Sequence, residues 1–120
     1  MATSSAGLHE RDEELAPSTR EMHRAIVSLM EELEAIDWYQ PRVDASRDAE
    51  LREILEHNRD EEKEHTAMEL EWIRGRDSAF DRVLRTYLFA EGRILEREAS
   101  GNEGASPAPP PIVGSLRGRR

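Results

Sequence analysis

The sequence contains no cysteine, few aromatic residues and no long apolar run, and each absence excludes a class of protein. Without cysteine the chain forms no disulfide and offers no thiolate to a metal, which excludes zinc fingers and iron–sulfur proteins and suits a reducing cytoplasm. No apolar run reaches the roughly 18–20 residues that cross a bilayer, so we expect no membrane partner. The acidic N-terminus also lacks the apolar region of a secretory signal.

Aromatic residues make up only 5% of the 120 residues, so a core formed by one chain would be thin. Short helical chains with thin cores commonly complete them by associating with further copies. Acidic residues number 26 and lysine plus arginine 17, which gives a net charge of −9. Because such a field repels nucleic acid and attracts cations, we expect metal ions and no nucleic acid as partners.

Composition divides the chain into four regions. Residues 1–17 are polar, lack periodicity and are predicted to be disordered. Residues 18–98 carry helical periodicity and form the predicted folded domain. Residues 99–111 are rich in proline, glycine and serine, which is typical of a flexible linker. Residues 112–120 begin with aliphatic side chains and end with basic ones, an unusual composition for the end of a disordered tail.

The first predicted helix begins at a capping-box pattern, in which Ser18 is followed three residues later by Glu21. Pro41 is predicted to end this helix, because proline biases the preceding residue away from helical backbone angles. The apolar residues between them recur at a spacing of three or four and form one stripe: Met22, Ile26, Leu29, Leu33 and Ile36.

After a connection over residues 41–47, a second long helix is predicted from about Asp48 to Arg74, with Gly75 as its C-terminal cap. A short connection between two long helices favours an antiparallel hairpin. A shorter third helix with an apolar face follows and is interrupted at Gly92. The predicted fold is therefore all-α: an antiparallel two-helix hairpin, equal to half of a four-helix bundle, plus a short C-terminal helix, completed by dimerisation.

The second helix contains the pattern Glu-x-x-His, formed by Glu62 and His65. Side chains three residues apart on a helix point to one side, so this carboxylate and imidazole can bind the same ion. Di-iron helical bundles combine the motif with a glutamate from a neighbouring helix, for which Glu32 is the candidate. Asn58, Glu62 and His65 also interrupt the apolar face of their helix, where polar groups without partners cost several kcal/mol.

A complete di-iron site uses two Glu-x-x-His motifs and two further glutamates, and this chain supplies half of that set. A two-fold dimer supplies all of it, so we expect two irons to bind where two chains meet. Carboxylate and imidazole ligands suit iron(II) and manganese. The alternative is a slightly rotated helix whose acidic face meets solvent, and the short motif leaves that alternative open.

Tyr39 lies seven residues from Glu32 on the same side of the helix, and it is a candidate for contacting a metal ligand. Trp38 is its neighbour, and the alternative for both is an aromatic pair that closes the hairpin. Two weaker acidic clusters suit either a cation or ordinary solvated surface. They are Glu31 with Glu34, and His57 with Glu61 and Glu64.

Several runs over about residues 9–97 resemble the encapsulated ferritins of bacteria. The runs are His23–Val27, Met30–Tyr39, His57–His65, Leu70–Trp72 and Arg85–Phe89. The tail is similar to the peptide through which that family binds its encapsulin shell. This candidate shell-targeting run is Ile112, Val113, Gly114, Ser115, Leu116 and Arg117.

The resemblance implies a ferritin-like half-bundle that assembles as a decamer, a pentamer of dimers, with a ferroxidase site of two irons at one dimer interface. It also implies a place in the bacterial cytoplasm, inside the lumen of an encapsulin nanocompartment that holds the iron mineral. The matching positions are Glu32, Glu62 and His65 for the iron ligands, with Tyr39 and Trp38 beside them; Glu31 and Glu34 for metal uptake; and His57, Glu61 and Glu64 for calcium or another divalent cation.

We therefore expect an enzyme, a ferroxidase that oxidises Fe(II) to Fe(III) for mineral storage, with Tyr39 among its catalytic residues. One alternative is a helical cargo protein that binds divalent cations without turnover, and another is a purely structural adaptor. A zinc protease is not expected, because position 61 is glutamate and the motif lacks the first histidine of His-Glu-x-x-His.

Overall fold

The computed structural model describes residues 7–99, and over that part of the chain the regular structure is helical throughout. The α-helices are α1 (Pro17–Ala45), α2 (Ala49–Arg76) and α3 (Ser78–Tyr87). The chain divides after Ile73 into two compact units, and the first holds α1 and most of α2. The prediction of an all-α fold with a long two-helix hairpin and a shorter third helix is confirmed.

Helix α1 begins one residue before the predicted capping box. Its first residue is Pro17, and Ala16 precedes it without a side-chain hydrogen bond to the helix end. Proline suits this position because its φ is already helical and its missing N–H would have no partner there. The prediction that Ser18 and Glu21 cap the helix was therefore wrong.

Pro41 lies inside α1, so the prediction that it ends the helix was also wrong. A proline removes one backbone hydrogen bond from a helix, but packing can hold the turn that follows. Val43, in that turn, is only 2% exposed. The connection to α2 is consequently confined to residues 46–48 instead of 41–47.

Helix α2 begins after Asp48, whose carboxylate accepts a hydrogen bond from the backbone N–H of Leu51 at 2.8 Å. Gly75 lies within this helix and does not cap it, so that prediction was wrong. The next helix starts almost at once, because the Asp77 carboxylate accepts a hydrogen bond from the Phe80 N–H at 2.8 Å. The break between α2 and α3 is therefore made by a cap at the start of α3.

In the second unit, Asp81 joins α3 to the end of α2. Its carboxylate accepts hydrogen bonds from Arg74 and, at 3.0 Å, from Nε of Arg85. Burial opposes the charged carboxylate, but the two guanidinium groups outweigh it and hold the pKa of Asp81 below its usual value. Helix α3 ends at Tyr87, and the predicted interruption at Gly92 falls in the turn beyond it, where φ is 91°.

The N-terminal segment that was predicted to be disordered, residues 1–17, is partly structured in the described region. A short 3-10 helix covers Asp12–Glu14. Arg20 on α1 ties this segment down by donating hydrogen bonds to the carbonyl oxygens of Asp12 and Leu15, at 2.8 and 3.3 Å. The other domain boundaries stay predictions, since the linker and tail lie almost entirely outside residues 7–99.

Few apolar side chains are fully buried in the hairpin. Among the described residues, the buried hydrophobic side chains are Val43 and Ile73, at 2% and 0% exposure. The half-buried face of α1 runs along Ala25, Leu29, Glu32, Ile36 and Tyr39, rotated by about 60° from the predicted stripe. Glu32 therefore lies within the face that meets α2. None of the described helices is apolar enough over a sufficient length to span a membrane.

Candidate metal centre

Glu32 on α1 meets Glu62 and His65 on α2 across the hairpin of a single chain. His65 Nδ1 lies 3.0 Å from Glu32 Oε2 and 3.2 Å from Glu62 Oε1. One potential ligand atom from each of the three side chains lies within 4.8 Å of the other two, so all three can contact one ion. The structure thus brings the three predicted ligands together, while their binding of a metal stays a prediction.

The two carboxylates are largely covered and the imidazole is more open. The side chains of Glu32 and Glu62 are each 20% exposed, whereas His65 is 43% exposed. Glu62 and His65 are three residues apart and share one side of α2, and the antiparallel hairpin places Glu32 opposite them. The more open edge, at His65, is the side from which a further molecule can approach.

A polar contact between the helices holds them in register on the loop side of the centre. Arg59 donates a hydrogen bond from Nη1 to Gln40 Oε1 at 2.9 Å, and a second from Nε to Asp60 Oδ1 at 3.0 Å. Arg59 lies one turn before Glu62 on α2. The bond from Arg59 to α1 therefore fixes the relative position of the two helices close to the three candidate ligands.

When no cation is bound, Glu32 and His65 hold their protons to higher pH than free side chains do. Burial raises the pKa of Glu32, and a hydrogen bond with Glu62 and the charges of Glu62 and Glu69 raise it further. For His65, burial opposes the charged imidazolium, yet the adjacent carboxylates of Glu32 and Glu62 outweigh it and raise its pKa above the ordinary 6.5. Because a metal ion replaces protons on these groups, it can neutralise the excess negative charge in the same way.

We expect the affinity for a divalent cation to rise with pH between about pH 5 and 8. The raised pKa values of Glu32 and His65 mean that both hold protons to higher pH than free side chains do, and metal binding requires those protons to leave. Each displaced proton makes the affinity fall about tenfold per pH unit below the relevant pKa. Calorimetric titration with Zn(II) across this range measures the slope.

The matched control for this pH dependence is His65→Gln, which removes the titrating imidazole. Its affinity should be lower than that of the wild type and should depend less steeply on pH. A wild-type affinity that stays flat over the whole range would contradict the coupling between protons and cations at this centre.

The aromatic candidates lie further along α1. Tyr39 is half-buried, and the guanidinium of Arg42 lies over its ring at 5.6 Å from the ring centroid. Seven residues separate Tyr39 from Glu32, which is about 10 Å along the helix axis. Trp38 is 52% exposed. The proposed role of both residues beside the metal ligands stays a prediction.

The two weaker acidic clusters are on the helix surface. Glu31 and Glu34 are exposed on α1. On α2, His57 Nε2 lies 3.5 Å from Glu61 Oε2, with side-chain exposures of 69% and 53%, and Glu64 is exposed one turn further. Both sets stay candidates for cation binding. The candidate shell-targeting residues 112–117 lie outside the described residues.

Sequence reasoning missed Glu69. This residue is half-buried on the contact face of α2, seven residues after Glu62 and four after His65. Burial raises its pKa, and the charges of Glu31 and Glu62 add to that effect while His65 opposes it. The spacing from Glu62 was visible in the sequence, but α2 contains many glutamates and the pattern alone did not distinguish this one.

The donor set of the centre is two carboxylates and one imidazole. Hard carboxylate oxygens with an imidazole nitrogen suit Fe(II), Mn(II) and Zn(II), and the absence of a thiolate disfavours softer ions. The three side chains are also partly buried, and burying such polar groups without a cation or another partner costs free energy. A bound cation would remove that cost. The three side chains therefore fit a divalent transition metal.

Comparison with known proteins agrees with the fold described above. A family model described as EncFtn-like matches residues 7–91. An encapsulated ferritin-like protein of Rhodospirillum rubrum is 60% identical over 104 residues, which are 87% of this chain and 74% of that protein. A protein of Myxococcus xanthus described as the encapsulin nanocompartment cargo protein EncC is 36% identical over 119 residues, covering 88% and 87% of the two chains.

A solved structure agrees as well. The crystal structure of a protein from Nitrosomonas europaea is 60% identical and superposes with a TM-score of 0.71, over 73% of this chain and 97% of that one. The family model covers well over half of the chain, and the identities lie far above those of chance similarity. The resemblance inferred from the sequence is confirmed: this chain belongs to the EncFtn-like family of encapsulated ferritin-like proteins.

Proposed function

We propose that the protein is a ferroxidase, which binds Fe(II) as its substrate and oxidises it to Fe(III) for storage as a mineral. The observation that carries this proposal is the convergence of Glu32, Glu62 and His65 on one point of the hairpin. Membership of an encapsulated ferritin-like family supports iron as the metal. The donor set suits both oxidation states of iron.

The site is completed by a second copy of the chain. One chain supplies two glutamates and one histidine, whereas a di-iron bundle site uses four glutamates and two histidines. A two-fold axis next to the more open edge at His65 would repeat the donor set and hold two irons between the protomers. Two adjacent ferrous ions supply the two electrons that reduce one dioxygen molecule to hydrogen peroxide with two protons.

Exposed apolar surface on the hairpin supports this association. On α1, Ile26, Met30 and Leu33 are 41%, 41% and 52% exposed and lie within about 60° of one another around the helix. On α2, Ile54 and Met68 are 50% and 57% exposed and lie on the same edge as His65. Exposed apolar surface of this kind is typical of an interface between proteins. The decamer, a pentamer of such dimers, stays a prediction.

The residues of the chain have distinct parts in the proposed reaction. Glu32 and Glu62 supply negative charge that attracts Fe(II) and favours Fe(III) once it forms. His65 can bind the metal through a neutral ring nitrogen once it has lost its proton. Because its pKa is raised, the loss of that proton is less favourable at low pH. Their shared partial burial limits the competition of water for the metal.

Stopped-flow absorbance after aerobic addition of Fe(II) tests the proposal directly. A ferroxidase produces the Fe(III) signal much faster than Fe(II) oxidises in buffer alone. The second candidate, a helical cargo protein that only binds divalent cations, rests on the same three donors and predicts a rate equal to or below that of buffer. A rate at the buffer level, with metal bound, would favour this second candidate.

We further propose that the protein is cargo of an encapsulin shell and that residues 112–117 bind the shell. The relative from Myxococcus xanthus carries the name of such a cargo protein. Ile112, Val113 and Leu116 are aliphatic within a tail that is otherwise small, polar or basic. Aliphatic residues among small, polar and basic ones suit capture by an apolar pocket on a shell protein.

Deleting residues 112–120 is expected to abolish loading into a co-expressed encapsulin shell and to leave the rate of iron oxidation within about twofold, since the centre lies in the hairpin. Co-purification with the shell and the stopped-flow rate are the two measurements. Deleting the basic end alone, residues 118–120, is the matched control and should preserve loading. Full loading after the longer deletion would contradict the targeting role.

A further inference from the structure

The side chain of Glu69 contains a buried polar atom without a partner among the described residues. Its Oε1 is buried and has no hydrogen-bond partner in the described part of the chain. Leaving a buried acceptor without a partner costs about 1–3 kcal/mol, and more for a charged group. Native proteins contain few such groups, and they are found disproportionately where function requires them. Glu69 therefore calls for a partner that the hairpin alone does not give it.

Glu69 lies next to His65 on the same side of α2. The two residues are four apart, and side chains at that spacing are neighbours whose Cβ atoms are about 5–6 Å apart. Their charges act on each other, since His65 lowers the pKa that burial raises at Glu69. The Glu69 carboxylate, whose Oε1 has no partner within residues 7–99, is thus within reach of the imidazole after a change of side-chain torsion.

The orientation of His65 leaves one ring nitrogen in need of a partner. Nδ1 is the nitrogen that faces both Glu32 and Glu62, at 3.0 and 3.2 Å. A metal ion held by these three residues would therefore bind Nδ1, and Nε2 would carry the hydrogen. Histidine ligands nearly always donate that second N–H to a carboxylate, a carbonyl or water, which fixes their tautomer and ring orientation.

A cavity lies next to Glu69 on the hairpin. It has a volume of about 420 Å³ and is open to solvent, with Ser28 of α1 and Glu69 and Trp72 of α2 in its wall. Ser28 is one turn before Glu32, and Glu69 is one turn after His65. The cavity therefore borders Glu69 about one helical turn beyond the candidate ligands.

We propose that Glu69 is a positioning residue, whose carboxylate accepts the Nε2–H of His65 when Nδ1 binds a metal ion. The bond satisfies the orphaned Glu69 oxygen, holds the imidazole in the tautomer that can bind metal and increases its basicity. This inference rests on the proposed metal centre and extends it to a residue outside the Glu-x-x-His motif.

The test uses full-length protein with Zn(II), a redox-inert and diamagnetic probe, and compares Glu69→Met, Glu69→Gln and the wild type. In the Zn(II)-loaded wild type, ¹⁵N-edited NMR should show a slowly exchanging Nε2–H of His65, assigned by its loss in His65→Gln. In Glu69→Met this proton should exchange rapidly, and Zn(II) affinity should fall about 10- to 100-fold. Glu69→Gln, whose amide oxygen still accepts a hydrogen bond, should fall in between.

The control is Glu53→Gln, at an exposed position on the far side of α2, which should match the wild type in both measurements. A Glu69→Met protein with wild-type affinity, or with weaker affinity but an unchanged Nε2–H signal, would overturn the inference. If the wild type itself does not bind Zn(II) through His65, the proposed metal centre fails. Binding through His65 without any dependence on Glu69 overturns the positioning role alone.

Discussion

Replacing Glu62 by alanine is expected to slow oxygen-dependent Fe(II) oxidation by more than about 100-fold. Loss of a group that merely supports a metal ligand costs about 10- to 100-fold, so loss of a ligand itself should cost more. Glu32→Ala and His65→Ala should each act similarly, because the three donors meet within 4.8 Å and none has a substitute on the hairpin at that distance among the described residues. Stopped-flow absorbance measures the rates.

The matched control for these ligand variants is Glu53→Ala. Glu53 is also a glutamate of α2, but it is exposed and lies about half a turn around the helix from Glu62. Its replacement should leave the rate within about twofold. Glu62→Gln removes the charge while preserving the size of the side chain, so it separates loss of a ligand from loss of packing. Wild-type rates in all three ligand variants would remove the proposed ferroxidase centre.

The second large effect is expected from Ile54→Lys, which should convert the proposed dimer into monomers and abolish the proposed ferroxidase activity with it. Ile54 is 50% exposed on the His65 edge of α2, yet it lies about 16 Å along the helix from His65 and does not contact the centre. Burying an unpaired ammonium group at an interface costs at least about 3 kcal/mol, which weakens association more than about 100-fold.

Analytical ultracentrifugation and the oxidation rate, measured on the same samples, test this second prediction. Glu53→Lys introduces the same charge one residue away on the far, exposed face of α2, and it should remain a dimer with a wild-type rate. The rate per chain should fall together with the dimer fraction when Ile54→Lys is diluted. A monomer that oxidises iron at the full wild-type rate per chain would contradict the shared centre.

Much of the architecture can be predicted from short patterns in the sequence. The spacing of apolar residues predicted the two long helices, and the short segment that connects them in the sequence was sufficient to predict the hairpin. Glu62 and His65 were also accessible to prediction, because a spacing of three residues places them on one side of any α-helix. Glu32 could be selected because its spacing places it beside the apolar stripe of α1 and not opposite it.

Helix ends were harder to predict because tertiary contacts decide them. Pro41 would end an isolated helix, but the turn beyond it is held by the burial of Val43. Gly75 suited a C-terminal cap, yet the capping hydrogen bond made by Asp77 starts the next helix so soon that no glycine cap is needed. Both outcomes depend on contacts between residues that a local pattern does not reveal.

Glu69 escaped prediction for a related reason. In a helix with many glutamates, the sequence does not show which carboxylate lies inside the hairpin. A rotation of the helix by about 40° about its axis changes which one faces the other helix. In the structure, Glu69 is recognised because its Oε1 is buried and because the charge of the neighbouring His65 acts on its pKa. The half-buried face of α1 is rotated by about 60° from its predicted stripe, so Glu32, expected beside that stripe, lies within the contact face.

The proposed function requires that two chains share one metal centre. A crystal structure of protein soaked anaerobically in Fe(II), with anomalous scattering measured at the iron edge, tests that claim directly. We predict two iron peaks between two protomers, each contacted by the side chains of Glu32, Glu62 and His65. Iron bound within a single hairpin with no second chain nearby, or iron peaks remote from these three residues, would contradict it.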